Sequence, residues 1–303
     1  MAVRRGDRDT PALSVVAAIH SRKAGRRWLE RARPQVAAAG AQIVLVGPGA
    51  DPRWARGSEV VVEVAERAAL TPELWARGIV RSRGQAVALT ISECLPAAGW
   101  VPAILTALGD AAEAAAVGGV LELDPRGTPA DWALYFLRYS AYMPPMRRGP
   151  AREVAADNAV YRRAALDRYP ESWRAGFWEP SVHAQFHRDG LAIVLDPRVV
   201  VMHRHSLSPA AFSRQRFVHG RAFGAARFGA APPTVRALRT LAAPVAGVVL
   251  GGRVAARVLA RKRHRLRLLA SAPFLAWFIA CWIVGEATGY LLGSGRPAPM
   301  EAG

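Results

Sequence analysis

Leu13–Ile19 and Gln42–Val46 are two short apolar runs rich in β-branched residues, and the stretch between them, 24–39, reads as a helix stopped by Gly40. A strand, a helix and a second strand within about 35 residues make a βαβ unit, whose crossover forces the strands parallel. The pattern continues. Val60–Val64 reads as a third strand, 72–83 as a helix, Ala86–Ile91 as a strand, 100–115 as a helix and Val117–Leu123 as a strand. An aromatic helix and an exposed Pro/Arg-rich loop are expected over 129–150, a helix over 178–189, and strands at 191–195 and Val199–His203. Helices alternating with buried strands predict an α/β protein with an open, mostly parallel sheet. Such sheets place ligands beyond the carboxyl ends of their strands. Those ends are His20, Gly47, Ser92 with Glu93, and His203.

The 303 residues carry a formal net charge of +18, unevenly spread. Between Asp196 and Glu286 there is no acid, while fifteen Arg or Lys fall in that interval. A localised basic segment points to a polyanion, either anionic lipid or nucleic acid. What lies beside the charge favours lipid. Leu268 to Gly285 has no charged residue, about 27 Å as a helix, barely a bilayer core. Thr240 to Gly252 is shorter, and Arg253, Arg257 and Arg261 then form a stripe along one helix face. The basic cluster at 261–267 separates the two apolar stretches, and the positive-inside rule keeps such a cluster cytoplasmic. The expectation is therefore a surface helix over 235–260 and a spanning or re-entrant piece over 268–290. A buried core helix is the alternative for the second. Nucleic acid as partner is set aside, because the basic residues do not interleave with stacking aromatics.

Cys94 and Cys281 have no CxxC spacing, so neither a disulfide framework nor a cysteine metal site is expected. Met1 to Pro11 has charges of both signs and no apolar run. That is not the make-up of a signal peptide, and the catalytic part is expected at the cytoplasmic face.

Six pieces in order carry a resemblance. Leu13–Ala18 opens the chain with a strand, and Leu89–Ile91 runs through Ser92-Glu93 to Pro96 and Gly99-Trp100. Asp157-Asn158 precedes Arg162-Arg163, and Gly176-Phe177-Trp178-Glu179 forms a turn. Asp196–His203 is a strand ending in histidine, and Trp282–Tyr290 is an apolar tail. The set resembles family 2 glycosyltransferases of the GT-A fold, bacterial members with a C-terminal membrane segment included. It covers roughly 12–293.

The resemblance implies a catalytic domain over 1–230 and membrane-associated helices over 231–303. It implies transfer of a sugar from a nucleotide-activated donor to a lipid-linked or cell-surface glycan acceptor, with inversion. Glu179 would be the general base. Ala18, His20, Ser92, Glu93, Asn158, Arg162, Gln215 and Arg216 would bind the donor. Glu93 and His203 would hold a divalent metal, Mg or Mn, since carboxylate plus imidazole can hold Mn and carboxylate with diphosphate oxygens suits Mg. His205 competes with His203 for that position. For 214–221 a solvated basic helix is an equal alternative. Asp51 and Asp157 read as turn residues. Ile91 and Ser92 stand where the family carries acid, as do Gly47 and Pro48, and Pro180 follows Glu179 where an Asp is frequent. These departures keep a second reading open: a non-catalytic relative acting as a binding or scaffold subunit in glycan assembly.

Overall fold

The computed structural model describes residues 10–57, 59–204 and 208–295. The chain divides into two compact units, 1–124 with 142–204, and 125–141 with 205–303. The aromatic helix at 129–139 groups with the C-terminal helices in this division.

The first unit is built on one nine-stranded sheet. Its strands are β1 (Leu13–Ala18), β2 (Gln42–Val46), β3 (Val60–Glu63), β4 (Ala86–Ile91), β5 (Cys94–Pro96), β6 (Ala114–Leu123), β7 (Gly149–Pro150), β8 (Asn158–Arg162) and β9 (Ala192–His203). The order is β3-β2-β1-β4-β8-β6-β9-β5, with β7 on β9. The helices of this unit are α1 (Arg22–Ala38), α2 (Thr71–Arg81), α3 (Trp100–Asp110), α5 (Arg163–Asp167) and α6 (Glu179–Arg188), while α4 (Pro129–Tyr139) belongs to the second.

The α/β class is as the alternating pattern predicts, but the pairing is more mixed. β3, β2, β1 and β4 are parallel, as are β6 and β9. β8 lies between them antiparallel to both β4 and β6, and β5 and β7 add antiparallel edges to β9. β1, β2 and β4 are buried at every position, which is why they read as continuous apolar runs without alternation.

Two boundaries move from their expected places. α3 stops at Asp110 and β6 starts at Ala114, so the predicted helix end at 115 is part of a strand. The two short strands expected at 191–195 and 199–203 are one strand. Pro197 lacks an N–H, and β9 passes it by a register shift against β6 between the Gly118–Leu195 and Val120–Val200 pairs.

The second unit holds α4, α7 (Pro209–Phe228), α8 (Pro233–Ala260) and α9 (Arg265–Leu292). α7 and α9 touch backbone to backbone through two glycine pairs. A Cβ on Gly220 or Gly224 would run into the carbonyls of Trp282 or Glu286, and one on Gly285 or Gly289 into those of Phe217 or Arg221. Each helix thus offers a Gly-x-x-x-Gly face to the other, a packing mode also common between helices in membranes. Phe212 meets Phe278 edge-on at 4.7 Å, and His264 lies on the Trp132 ring of α4 at 4.5 Å.

α8 and α9 are both long and apolar enough to cross a membrane, by length and composition. Leu241, Val248, Leu266, Leu269 and Trp277 are among their exposed apolar side chains.

Candidate active site

The carboxyl ends of β1, β4, β6 and β9 and the first residues of β8 bring polar side chains to one edge of the sheet. At β1, Ala18 is buried and its carbonyl receives the Ser92 N–H at 3.0 Å, which ties the end of β1 to the turn after β4. His20, just past β1, pairs through Nε2 with the Thr71 hydroxyl of α2 at 2.9 Å.

Ser92 is buried and donates its hydroxyl to the Glu93 carboxylate at 2.9 Å. Glu93 is 7% exposed and stands at the start of β5, whose Cys94 pairs with His203 of β9. The Arg204 N–H donates to the Glu93 carbonyl at 2.7 Å, so Glu93 and His203 sit on neighbouring strand ends. His203 is 1% exposed. Side chains alternate along paired strands. His203 therefore shares a face with Cys94 and Leu123, its cross-strand neighbours.

An ion pair that sequence reasoning missed lies beside them. Asp124 directly follows β6, and its carboxylate accepts from Arg204 Nε at 2.7 Å. The Asp124 N–H also donates to the His203 carbonyl at 3.1 Å. The available signal was local: Asp124 is an acid directly after a long apolar strand, and Glu93 likewise lies just past the end of β4.

Glu179 opens α6, where the positive end of the helix favours a carboxylate. It is half-buried and accepts from the Ala156 N–H at 3.3 Å. The Thr90 hydroxyl donates to the carbonyl of neighbouring Asp157 at 2.9 Å, which brings the start of β8 against the end of β4. The phenol of Tyr161 is held well above its ordinary range by burial, with the charges of Glu179, Tyr142 and Asp157 adding to it. Glu179 and Asp157 thus act on one phenol. Tyr161 pairs with His183 Nε2 at 3.1 Å, one turn along α6 from Glu179. Burial, and the charge of His187, push the His183 imidazole down to about 4, so it is neutral at pH 7.

Two expected donor ligands are framework instead. Asn158 is fully buried. Its Oδ1 accepts from the Trp100 indole at 2.8 Å, and its Nδ2 donates to the carbonyls of Val120 and Val199 at 2.9 and 3.0 Å. An amide that joins β8, β6, β9 and α3 has little capacity left for a ligand. Arg162 donates to the carbonyls of Leu108, Ala111 and Ala114, capping the end of α3 with a cation. Arg163 does the same for Ile79 and Ser82 at the end of α2.

Asp51 holds Arg53 and Arg22 and caps a short turn at Pro52–Trp54, in keeping with a turn role. Gln215 and Arg216 stand on α7 of the second unit. Arg216 is not solvated as a basic helix would have it: its guanidinium lies 4.1 Å from the Trp282 ring. Burial, with the charge of Arg138, lowers it to about 9. His205 lies outside the described residues.

Among the described residues no three His, Cys, Asp or Glu are grouped to hold a metal by themselves. A divalent ion of the Mg or Mn kind needs fewer protein ligands when substrate phosphates complete its shell. Glu93 and His203 supply a carboxylate and an imidazole from adjoining strand ends, donor types of the right chemistry for such an ion.

No protein-family profile matches the chain, and no curated protein sequence matches it. Solved structures do. The mannosyltransferase PcManGT from Pyrobaculum calidifontis, solved with GDP-Man and Mn2+, superposes with a TM-score of 0.54 at 17% identity, over 92% of this chain and 87% of that one. GalNAc-T7 with UDP, GalNAc and Mn2+ gives 0.47 at 12% identity, over 70% of this chain and 48% of that one. A mycobacterial protein gives 0.46 at 17% identity, over 69% and 73%. At these identities the likeness to PcManGT is one of fold, and this chain has that fold along nearly its whole length.

Proposed function

We propose that the chain is a family 2 glycosyltransferase of the GT-A type, which moves a sugar from a nucleotide-activated donor to a lipid-linked or cell-surface glycan acceptor at the cytoplasmic face of a membrane. The observation that carries this reading is the gathering of Glu93, His203 and the Asp124–Arg204 pair at the ends of β4, β9 and β6, with Glu179 beside the start of β8. The fold is that of a mannosyltransferase solved with GDP-Man and Mn2+. The sheet-edge placement is where such folds bind ligands.

Glu179 takes the proton of the acceptor hydroxyl as it attacks the anomeric carbon, giving inversion. It stands in the first turn of α6, at the positive end of that helix. The buried Tyr161–His183 pair beside it stays neutral and adds no competing charge. Glu93 and His203 would hold a Mg or Mn ion with the donor diphosphate. When bound, that ion offsets the charge of the leaving group. Ser92 orients the Glu93 carboxylate, and Asp124 orients Arg204, whose planar fork suits diphosphate oxygens. Exposed apolar side chains on α8 and α9 and the cluster at 261–267 bind anionic lipid, and attachment raises the effective concentration of an amphiphilic acceptor.

The test is turnover of a panel of labelled nucleotide sugars with lipid and glycan acceptors, with Mn2+ or Mg2+ present. Transfer that Glu179→Gln abolishes supports the reading. Donor binding without turnover under any condition would replace it with the second reading, a non-catalytic subunit of glycan assembly. The observation favouring that alternative is the single acid of Ile91-Ser92-Glu93.

A further inference from the structure

The fifteen cations between Asp196 and Glu286 are not the whole of the basic charge. Residues 21–57 of the sheet unit hold eight Lys or Arg against two acids, Glu30 and Asp51. Both acids are already engaged. Glu30 takes Arg26 at 3.1 Å, and Asp51 takes Arg22 and Arg53. Lys23, Arg27, Arg31 and Arg56 have no acidic partner among the described residues.

α1 concentrates this charge. At 3.6 residues per turn, Lys23, Arg26, Arg27 and Arg31 fall on the side away from buried Ala24, Trp28, Leu29, Ala32 and Val36. The first turn has no acid, and Arg22 and Lys23 occupy it instead. A helix N-terminus is positive and favours carboxylates there, so cations in that turn act against the helix that carries them. Helix stability therefore does not explain them.

The surface is also shaped. One groove of about 600 Å³ is lined by Arg22, Lys23, Arg26, Arg27 and Glu30. A second, of about 570 Å³, continues past Arg33 to Trp54 and Arg56. Arg33 donates to the Trp54 carbonyl at 2.6 Å, which fixes that loop against α1. A half-buried indole among guanidinium groups is the side-chain mixture found at the headgroup level of bilayers.

We infer that the outward face of α1, with Trp54 and Arg56, is a second contact surface for anionic lipid headgroups, separate from the C-terminal basic cluster. Charge complementarity selects the occupant. A headgroup layer presents phosphate at high density without sequence, and scattered guanidinium and ammonium groups suit it. Single-stranded nucleic acid would call for a succession of stacking aromatics, and this face has one. The inference rests on the proposed membrane attachment for the presence of a bilayer, and does not depend on sugar transfer. Two contacts on one chain act together through effective concentration, and hold the sheet unit at the lipid surface.

The test uses the full chain with Cys281→Ser and a fluorophore on Ala37→Cys. Ala37 is exposed and lines the second groove, and Cys94 is buried. Vesicles carry a headgroup nitroxide quencher in phosphatidylcholine alone, or with about a third phosphatidylglycerol. The expected result is at least about twofold stronger quenching in the anionic vesicles, lost in high salt, where the Debye length falls to about 3 Å. Lys23→Gln/Arg26→Gln/Arg27→Gln lowers it to the neutral-vesicle level, and Lys23→Glu alone lowers it in part. Equal quenching in both vesicle types overturns the inference, as does quenching indifferent to these substitutions. Co-sedimentation of the same samples separates the two ideas. A chain that sediments with vesicles but shows no quenching sinks the α1 surface and leaves attachment standing. A chain that stays in the supernatant sinks attachment itself. Loss of quenching to a single-stranded oligonucleotide bound at this face, in place of lipid, also overturns the inference.

Discussion

Arginine does different work in the two units. In the sheet unit it is a clamp. Arg162 of β8 and Arg163 of α5 bind the carbonyl ends of α3 and α2, and Arg77, Arg81 and Arg198 each meet an acid. In the helical unit, acid-free from residue 205 to 285, the same side chain lies on rings or caps a helix. Arg216 rests on Trp282, Arg239 on Phe228 and Arg267 on Trp132, while Arg236 donates to the Tyr290 and Leu291 carbonyls at the end of α9. Ring faces and carbonyls stabilise a cation without cancelling its charge. Outside the α1 face, the sheet unit uses these arginines to lock its framework, whereas the helical unit keeps its positive charge for an outside anion.

Substitutions break or sharpen that contrast, beginning with the largest effect. Glu179→Gln should cut turnover about a thousandfold, about 4 kcal/mol of barrier, while costing no more than about 1 kcal/mol of stability, because the amide oxygen can still accept from the Ala156 N–H and only the charge at the α6 N-terminus is lost. A stability loss of similar size would make Glu179 a framework residue. Asn158→Ala should behave in the opposite way. It strands the Trp100 indole and two carbonyls, costing about 3 kcal/mol in urea titrations. In the helical unit, Gly285→Leu should cost about 3 kcal/mol, since α9 must move off the Phe217 carbonyl. Unchanged thermal unfolding would show the α7–α9 contact to be loose.

His183 adds a pH dependence confined to the sheet unit. Its folded pKa, about 4, lies below the ordinary 6.5, so the unfolded chain binds the extra proton first. Its contribution, an upper figure of about 3 kcal/mol, is complete above pH 6.5 and is lost as pH falls toward 4. His183→Phe should flatten unfolding free energy over that window, and an unaltered slope would refute it. The smallest effect is expected at Arg26→Gln, under about 0.5 kcal/mol, because the pair with Glu30 is fully on the surface. A larger loss would mean that the α1 face serves folding.

The strand positions were legible because each buried strand is a local run that stays apolar wherever it pairs. The places of Ser92-Glu93, His203 and Glu179 at strand ends and a helix start could be read because such ends are local features too. The roles of Asn158 and Arg162 could not be read in this way. A polar side chain before an apolar strand looks the same whether it faces a ligand or three distant carbonyls. Asp124 was passed over because its partner, Arg204, is eighty residues away. The basic face of α1 was hidden by a net charge near +4 over residues 1–196, which averages one basic helix with acids elsewhere.

By itself the sequence determined the alternation of strands and helices, the acid-free basic stretch and the apolar segments that lie within it. Each depends only on neighbours in the chain. Tertiary structure alone decided that β8 enters between β4 and β6 against their direction, and that α4 groups with α7, α8 and α9. It also decided which polar groups at the sheet edge are spent on the framework, as Asn158 and Arg162 are. Hydrogen bonds between distant segments settle those choices, and their partners are set by packing, not by spacing along the chain.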